Sequence, residues 1–120
     1  MLASSRSHRS PRMERVVSAF GFKEETRRGS VGVKMGLIAE QKADLYLHLS
    51  PSTKQWDTSA PEIILTEAGG RLTDLFGQPL RYNGVRIDNQ NGVVATNGVA
   101  HSLVIENLAP LLKEFGRVPV

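Results

Sequence analysis

Apolar and polar positions along this chain of 120 residues switch repeatedly between a helical and a two-residue period. Pro11 suits a helix start, and the run MERVVSAF from Met13 to Phe20 follows with Val16, Val17 and Phe20 on one face; Gly21 is placed to stop it. The polar stretch from Lys23 to Arg28, KEETRR, reads as a short strand, and Gly29-Ser30-Val31-Gly32 as a turn. A second helix is expected from Val33 to Glu40, with Met35, Leu37 and Ile38 among its apolar positions. Ala43 to Leu49, ADLYLHL, alternates strictly: Leu45, Leu47 and Leu49 share one side, and Asp44, Tyr46 and His48 share the other, which predicts a strand. After a loop over 50–55, a helix is predicted to begin at Asp57 with Pro61 in its first turn. Ala60, Ile63, Ile64 and Ala68 form its apolar face, and Gly69-Gly70 ends it. Arg71 to Leu75 reads as a strand and Gly77-Gln78-Pro79 as a turn. Asp88 to Gly92 is another turn before a buried strand at Val93 to Thr96. The last helix, His101 to Phe115, has Leu103, Ile105, Leu108, Leu111 and Leu112 on its apolar side. Helices alternating with strands predict one α/β layered domain with a mostly parallel mixed sheet flanked by helices.

Composition narrows the chemistry. The chain is 40% hydrophobic and 22% charged, which suits a globular fold. It has no cysteine, which excludes disulfides and thiolate metal sites. No apolar run reaches the roughly 20 residues that cross a bilayer, so no membrane span is expected. The net charge of +3 is uneven, because residues 1–34 hold eight Lys and Arg against three acids. Such a basic region favours anionic partners. A nucleic acid polymer is one such partner and a small phosphorylated molecule another, and no zinc-finger spacing or aromatic RNA-binding motif supports the first, so no nucleic acid polymer is expected. The opening MLASSRSHRSPR is Ser- and Arg-rich and free of acids, like a transit peptide, but it lacks a signal peptide's apolar core.

The informative run spans residues 29–82. A carboxylate in the first turn of a helix, as expected for Asp57, is commonly a cap. A helix start at the mouth of an α/β site is also where anions and hard cations meet preorganised groups. Position alone leaves both roles open. The surrounding residues, WDTSAPEIILTEAGGRLTD, resemble the second signature of the inositol monophosphatase superfamily: Trp56, Asp57, Ala60, Ile64, Glu67, Ala68, Gly69 and Gly70 all stand in place. The variant Asp57-Thr58-Ser59-Ala60-Pro61-Glu62 and the segment Ser5-Arg6-Ser7-His8 are similar to its 3'(2'),5'-bisphosphate nucleotidase branch. On that resemblance the opening residues are family sequence beginning in mid-fold.

The resemblance implies a Mg²⁺-dependent phosphomonoesterase that converts 3'(2')-phosphoadenosine 5'-phosphate to AMP and phosphate, linked to sulfur metabolism. Inositol-phosphate or sugar-phosphate phosphatase activity and a non-catalytic phosphate-binding remnant are the alternatives. It implies that Asp57 is a metal ligand beside the scissile phosphate, and that His8 and Lys34 contact substrate phosphate. The Gly-Ser turn adds its amides, and Ser30 ranks below Lys34 as a hydroxyl contact. His48 stands where many relatives carry Arg and is retained as a substrate-binding candidate. Glu67 lies ten residues beyond Asp57, about 15 Å along a helix, and is too far to share an ion.

The resemblance covers nearly the whole chain but about half of the family's length, as the carboxyl-terminal half of the sugar-phosphatase-like fold. The amino-terminal half, with its Glu-Glu and Asp-Pro-Ile/Leu-Asp-Gly-Thr metal motifs, is absent from residues 1–120. No catalytic residue is therefore assigned to this chain, and alone it is expected to be inactive. A cytoplasmic address is expected, with plastid or mitochondrion left open.

Overall fold

The computed structural model describes residues 1–5, 10–22, 24–49, 55–80 and 91–119. Their elements run β1 (Leu2–Ser5), α1 (Pro11–Phe20), β2 (Glu25–Arg28), α2 (Val31–Ala39), β3 (Leu45–His48), α3 (Gln55–Glu67), β4 (Arg71–Thr73), β5 (Val93–Thr96) and α4 (His101–Glu114). The five strands form one sheet in the order β2-β1-β3-β5-β4. β1 pairs in parallel with β2 and β3, whereas β5 is antiparallel to both β3 and β4. Four strands therefore point one way and β5 runs against them, which is the mixed, mostly parallel sheet expected.

Both faces of the sheet are covered, and the two-residue period of the strands divides the core between them. On one face Leu2, Leu45, Leu47 and Val94 pack with Val16 of α1 and with Leu108, Leu111 and Leu112 of α4. On the other, Ala3, Tyr46, Val93 and Ala95 pack with Met35 and Ile38 of α2 and Leu65 of α3. Fully burying each of these Leu, Ile or Met side chains contributes roughly 1.5–3 kcal/mol, so both helix layers are anchored through the strands between them.

Local chemistry sets the helix ends. Ser10 caps α1 by accepting the Met13 N–H, Pro11 opens the first turn, and Gly21 closes the helix at φ +64°. Ser30 caps α2 in the same way, accepting the Val33 N–H at 3.1 Å. Val31 and Gly32, expected in a turn, therefore belong to the first turn of α2. At the end of α3, Gly69 has φ +88°. A Cβ on Gly70 would sit 2.7 Å from the backbone oxygen of Thr96 and 2.5 Å from Leu65 Cδ1, so the glycine pair lets the chain pass tightly into β4.

Other expectations are corrected as well. Residues 2–5 form a strand next to the edge of the sheet; four residues are too few to show a period. Helix α3 starts two residues before Asp57, so Pro61 lies inside it, where it cannot donate to the Asp57 carbonyl one turn back. The apolar face assigned to α3 points outward: Ile63 is 66% and Ile64 60% exposed, and Thr58 and Leu65 face the core instead. With Pro61 half-buried against α2, positions 58, 61 and 65 make the inward stripe. In α4, Leu103 is likewise exposed, while Leu108, Leu111 and Leu112 are buried.

Candidate functional site

The parallel strands place the candidates. β1, β2 and β3 end together at Ser5, Arg28 and His48, and the chain passes from the end of β2 through Ser30 into α2. Open α/β sheets bind ligands beyond the carboxyl ends of such strands. Beside this edge, α2 and α3 pack against each other on the Tyr46 face of the sheet.

Lys34 sits in the first turn of α2 with its side chain directed inward, leaving 3% of the residue exposed. Its Nζ lies 4.8 Å from the centroid of the Tyr46 ring. That contact is a cation–π pair, worth up to about 2 kcal/mol when desolvated. Among the described residues no carboxylate forms an ion pair with this ammonium. Burial lowers its pKa from the usual lysine value, as expected where the charged form loses water.

Tyr46 and His48 are two apart on β3 and share one face, with ring centroids 6.3 Å apart. Burial and then the Lys34 charge lower the His48 pKa from the ordinary histidine value. The imidazole is therefore neutral at pH 7 and acts as a hydrogen-bonding group, not as the cation a protonated histidine would supply. Asp57, in the first turn of α3, is half-buried. Its carboxylate, after burial, is the second cause that raises the Tyr46 pKa, which places it electrostatically beside the phenol.

Lys34, His48 and Asp57, far apart in sequence, are thus brought together around Tyr46. Ser30 stands one turn from Lys34 as the cap of α2; its oxygen accepts the Val33 N–H, and its hydroxyl proton remains for an acceptor outside the helix. His8 lies outside the described residues, as does the side chain of Trp56. Glu67 is exposed at the far end of α3. Tyr46 is the member that the sequence reading did not select. The alternation of β3, which set it on the same face as His48, was the available signal.

Among the described residues no three His, Asp or Glu side chains gather closely enough to hold a metal ion. The cluster offers Asp57, and one carboxylate falls short of the near-octahedral oxygen shell of Mg²⁺. The described residues do not by themselves make a magnesium site.

The model of the inositol monophosphatase family matches residues 2–113. The chain belongs to that family. Human 3'(2'),5'-bisphosphate nucleotidase 1 is 39% identical over 97 residues, which cover 80% of this chain and 32% of the human protein. Inositol monophosphatase 3 of Xenopus tropicalis is 31% identical over 122 residues, or 96% of this chain and 34% of its own length. Among solved structures, CysQ from Bacteroides thetaiotaomicron, a bacterial member of the family, superposes with a TM-score of 0.71 at 33% identity, covering 82% of this chain and 37% of that one. The chain spans about a third of the length of the curated relatives it matches, less than the half expected from its motifs.

Proposed function

We propose that this chain is the carboxyl-terminal part of a Mg²⁺-dependent phosphomonoesterase that takes 3'(2')-phosphoadenosine 5'-phosphate to AMP and phosphate. The observation that carries the reading is the buried Lys34 ammonium, over the Tyr46 ring beside the carboxyl ends of the parallel strands and without a carboxylate ion-pair partner among the described residues. Burying a charge without pairing it is costly, and a phosphoryl group is the anion that would repay the cost here. In this reading Lys34 neutralises a phosphate oxygen, and His48 and the Ser30 hydroxyl offer hydrogen bonds. Asp57 is this chain's contribution to a metal centre whose other carboxylates lie in the part of the relatives' length that the chain does not span. His8 joins the phosphate contacts by the Ser-Arg-Ser-His resemblance alone.

The relatives named bisphosphate nucleotidases favour the nucleotide substrate. The match to inositol monophosphatase 3 over 96% of the chain favours inositol phosphate as the second reading. A non-catalytic phosphate-binding chain is the third, and it predicts anion binding indifferent to Mg²⁺. The proposed compartment is the cytoplasm or an organelle; no helix among the described residues is long and apolar enough to cross a membrane.

Phosphate release tests the proposal. The purified chain with 3'-phosphoadenosine 5'-phosphate and Mg²⁺ is expected to give none. Co-expression with an amino-terminal segment of a bisphosphate nucleotidase is expected to restore release, and Asp57→Asn to abolish most of it. Brisk turnover by the chain alone refutes the incomplete-enzyme reading. Preference for inositol monophosphate by the restored protein moves the assignment to the second reading.

A further inference from the structure

Tyr46 is the largest fully buried side chain in the described core, with 1% of the residue exposed. Among the described residues its hydroxyl has no hydrogen-bond partner. Stranding a buried hydroxyl costs as much as a good hydrogen bond contributes, and native cores keep such groups rarely and for a reason. A phenylalanine would fill the same space and offer Lys34 the same ring face. Packing and the cation–π contact account for the ring and leave the oxygen unexplained.

The neighbours of that oxygen point to its missing partner. Lys34 Nζ lies over the Tyr46 ring, so two buried donors, an ammonium and a phenol, stand side by side without an acceptor from the described carboxylates. A tyrosine phenol is protonated at neutral pH, hence a donor. What both groups lack is an anionic oxygen. We infer that Tyr46 is a further ligand-binding residue: its hydroxyl and the Lys34 ammonium hold one oxyanion between them, the phenol donating to one phosphoryl oxygen and the ammonium to another. The inference rests on the phosphoryl-site reading above and adds a residue to it. Both donors are shut from solvent as they stand. Admission of the anion therefore requires the Lys34 side chain to move off the ring. Its four-carbon stem is flexible enough to do so, and an arriving anion draws its charge outward. Lys34 in this view is both the cover of the Tyr46 ring and the first group the anion meets.

Tyr46→Phe separates this from a structural role, because it predicts opposite signs in two measurements on the same chain. Removing a stranded hydroxyl is expected to raise the ligand-free melting temperature by about 3–6 °C. Removing a donor to a charged oxygen is expected to weaken binding of inorganic phosphate and of 3'-phosphoadenosine 5'-phosphate about ten-fold in isothermal titration. A merely structural tyrosine would lose stability and affinity together. A melting temperature that stays or falls shows that the hydroxyl already has a partner and overturns the inference. Equal affinity of variant and wild type overturns it too, while loss of binding in Lys34→Met would leave the wider phosphoryl-site reading standing. Absence of phosphate binding by the wild-type chain also overturns it; the wider reading is then decided by phosphate release from the restored enzyme.

Discussion

His101, at the start of α4, joins three elements through one ring. Its Nε2 lies 2.8 Å from Thr73 Oγ1 on β4 and its Nδ1 2.8 Å from Thr96 Oγ1 on β5. The surrounding bonds fix the tautomer. The Thr73 hydroxyl donates to the Asp74 carbonyl, so it accepts from Nε2–H. Thr96 Oγ1 accepts the Gly98 N–H and donates its own proton to Nδ1. His101→Phe fills the space but removes both bonds and leaves the Thr96 proton without an acceptor. Two neutral hydrogen bonds at about 1 kcal/mol each, plus about 1–2 kcal/mol for the stranded donor, total about 3–4 kcal/mol. That corresponds to a melting temperature lower by on the order of 10 °C. His101→Asn, which keeps an acceptor toward Thr96, should lose about half as much. Thermal unfolding followed by circular dichroism reads both.

The same residue makes stability depend on pH. Burial, and then the Arg71 charge, lower the His101 pKa in the folded chain. The unfolded chain therefore takes up the proton first. The stabilisation is present above the unfolded value of about 6.5 and is lost as the pH falls through the folded value. His48 shifts in the same direction and adds to the slope. His101→Phe should flatten, without abolishing, the decline in melting temperature below about pH 6.5. A phenylalanine variant that melts where the wild type does, with an unchanged slope, refutes the pinning role.

Other expectations follow from packing. Gly70→Ala, which at an unstrained site would stabilise by about 0.4–1 kcal/mol, should here destabilise by more than about 1 kcal/mol. The new Cβ meets the Thr96 carbonyl at 2.7 Å, and backbone cannot yield as Leu65 can; chemical denaturation measures the loss. Ile63→Glu with Ile64→Lys should leave the melting temperature within about 1 kcal/mol equivalent of wild type, because both side chains are exposed. The same pair should reduce self-association of the isolated chain in analytical ultracentrifugation, since contiguous exposed apolar side chains promote it.

Much of the fold was legible because its signals were local. The alternation of 43–49, the Pro11 start and the Gly21 stop each act within a few residues, and each appears where the sequence placed it. What escaped depends on tertiary partners. β1 is a strand because β2 and β3 flank it, although LASS alone has no pattern. On α3, apolar residues occupy both sides, so periodicity could not say which side meets the sheet. The position of α3 over α2 decided for Thr58 and Leu65 against Ile63 and Ile64. The site divides in the same way. Lys34, His48 and Asp57 were found by family motif and lie around Tyr46, while Tyr46 itself was read only as part of the strand face opposite the leucines.

That division explains what a motif match can carry. In the run from Trp56 to Gly70, the first residues and the last answer to different constraints. Asp57 lies in the first turn of α3, where its charge acts on Tyr46. Thr58 and Leu65 hold the helix to the core, and Gly69 and Gly70 allow the chain to turn under the Thr96 carbonyl. Most of the signature therefore encodes how one helix enters and leaves a sheet, and would persist wherever that packing persists. Only its first carboxylate faces the candidate site. The match fixes family and fold for this chain. Chemistry needs the further condition that Asp57 and the buried Lys34–Tyr46 pair meet a phosphoryl group and the metal ligands of the segment that this chain does not span.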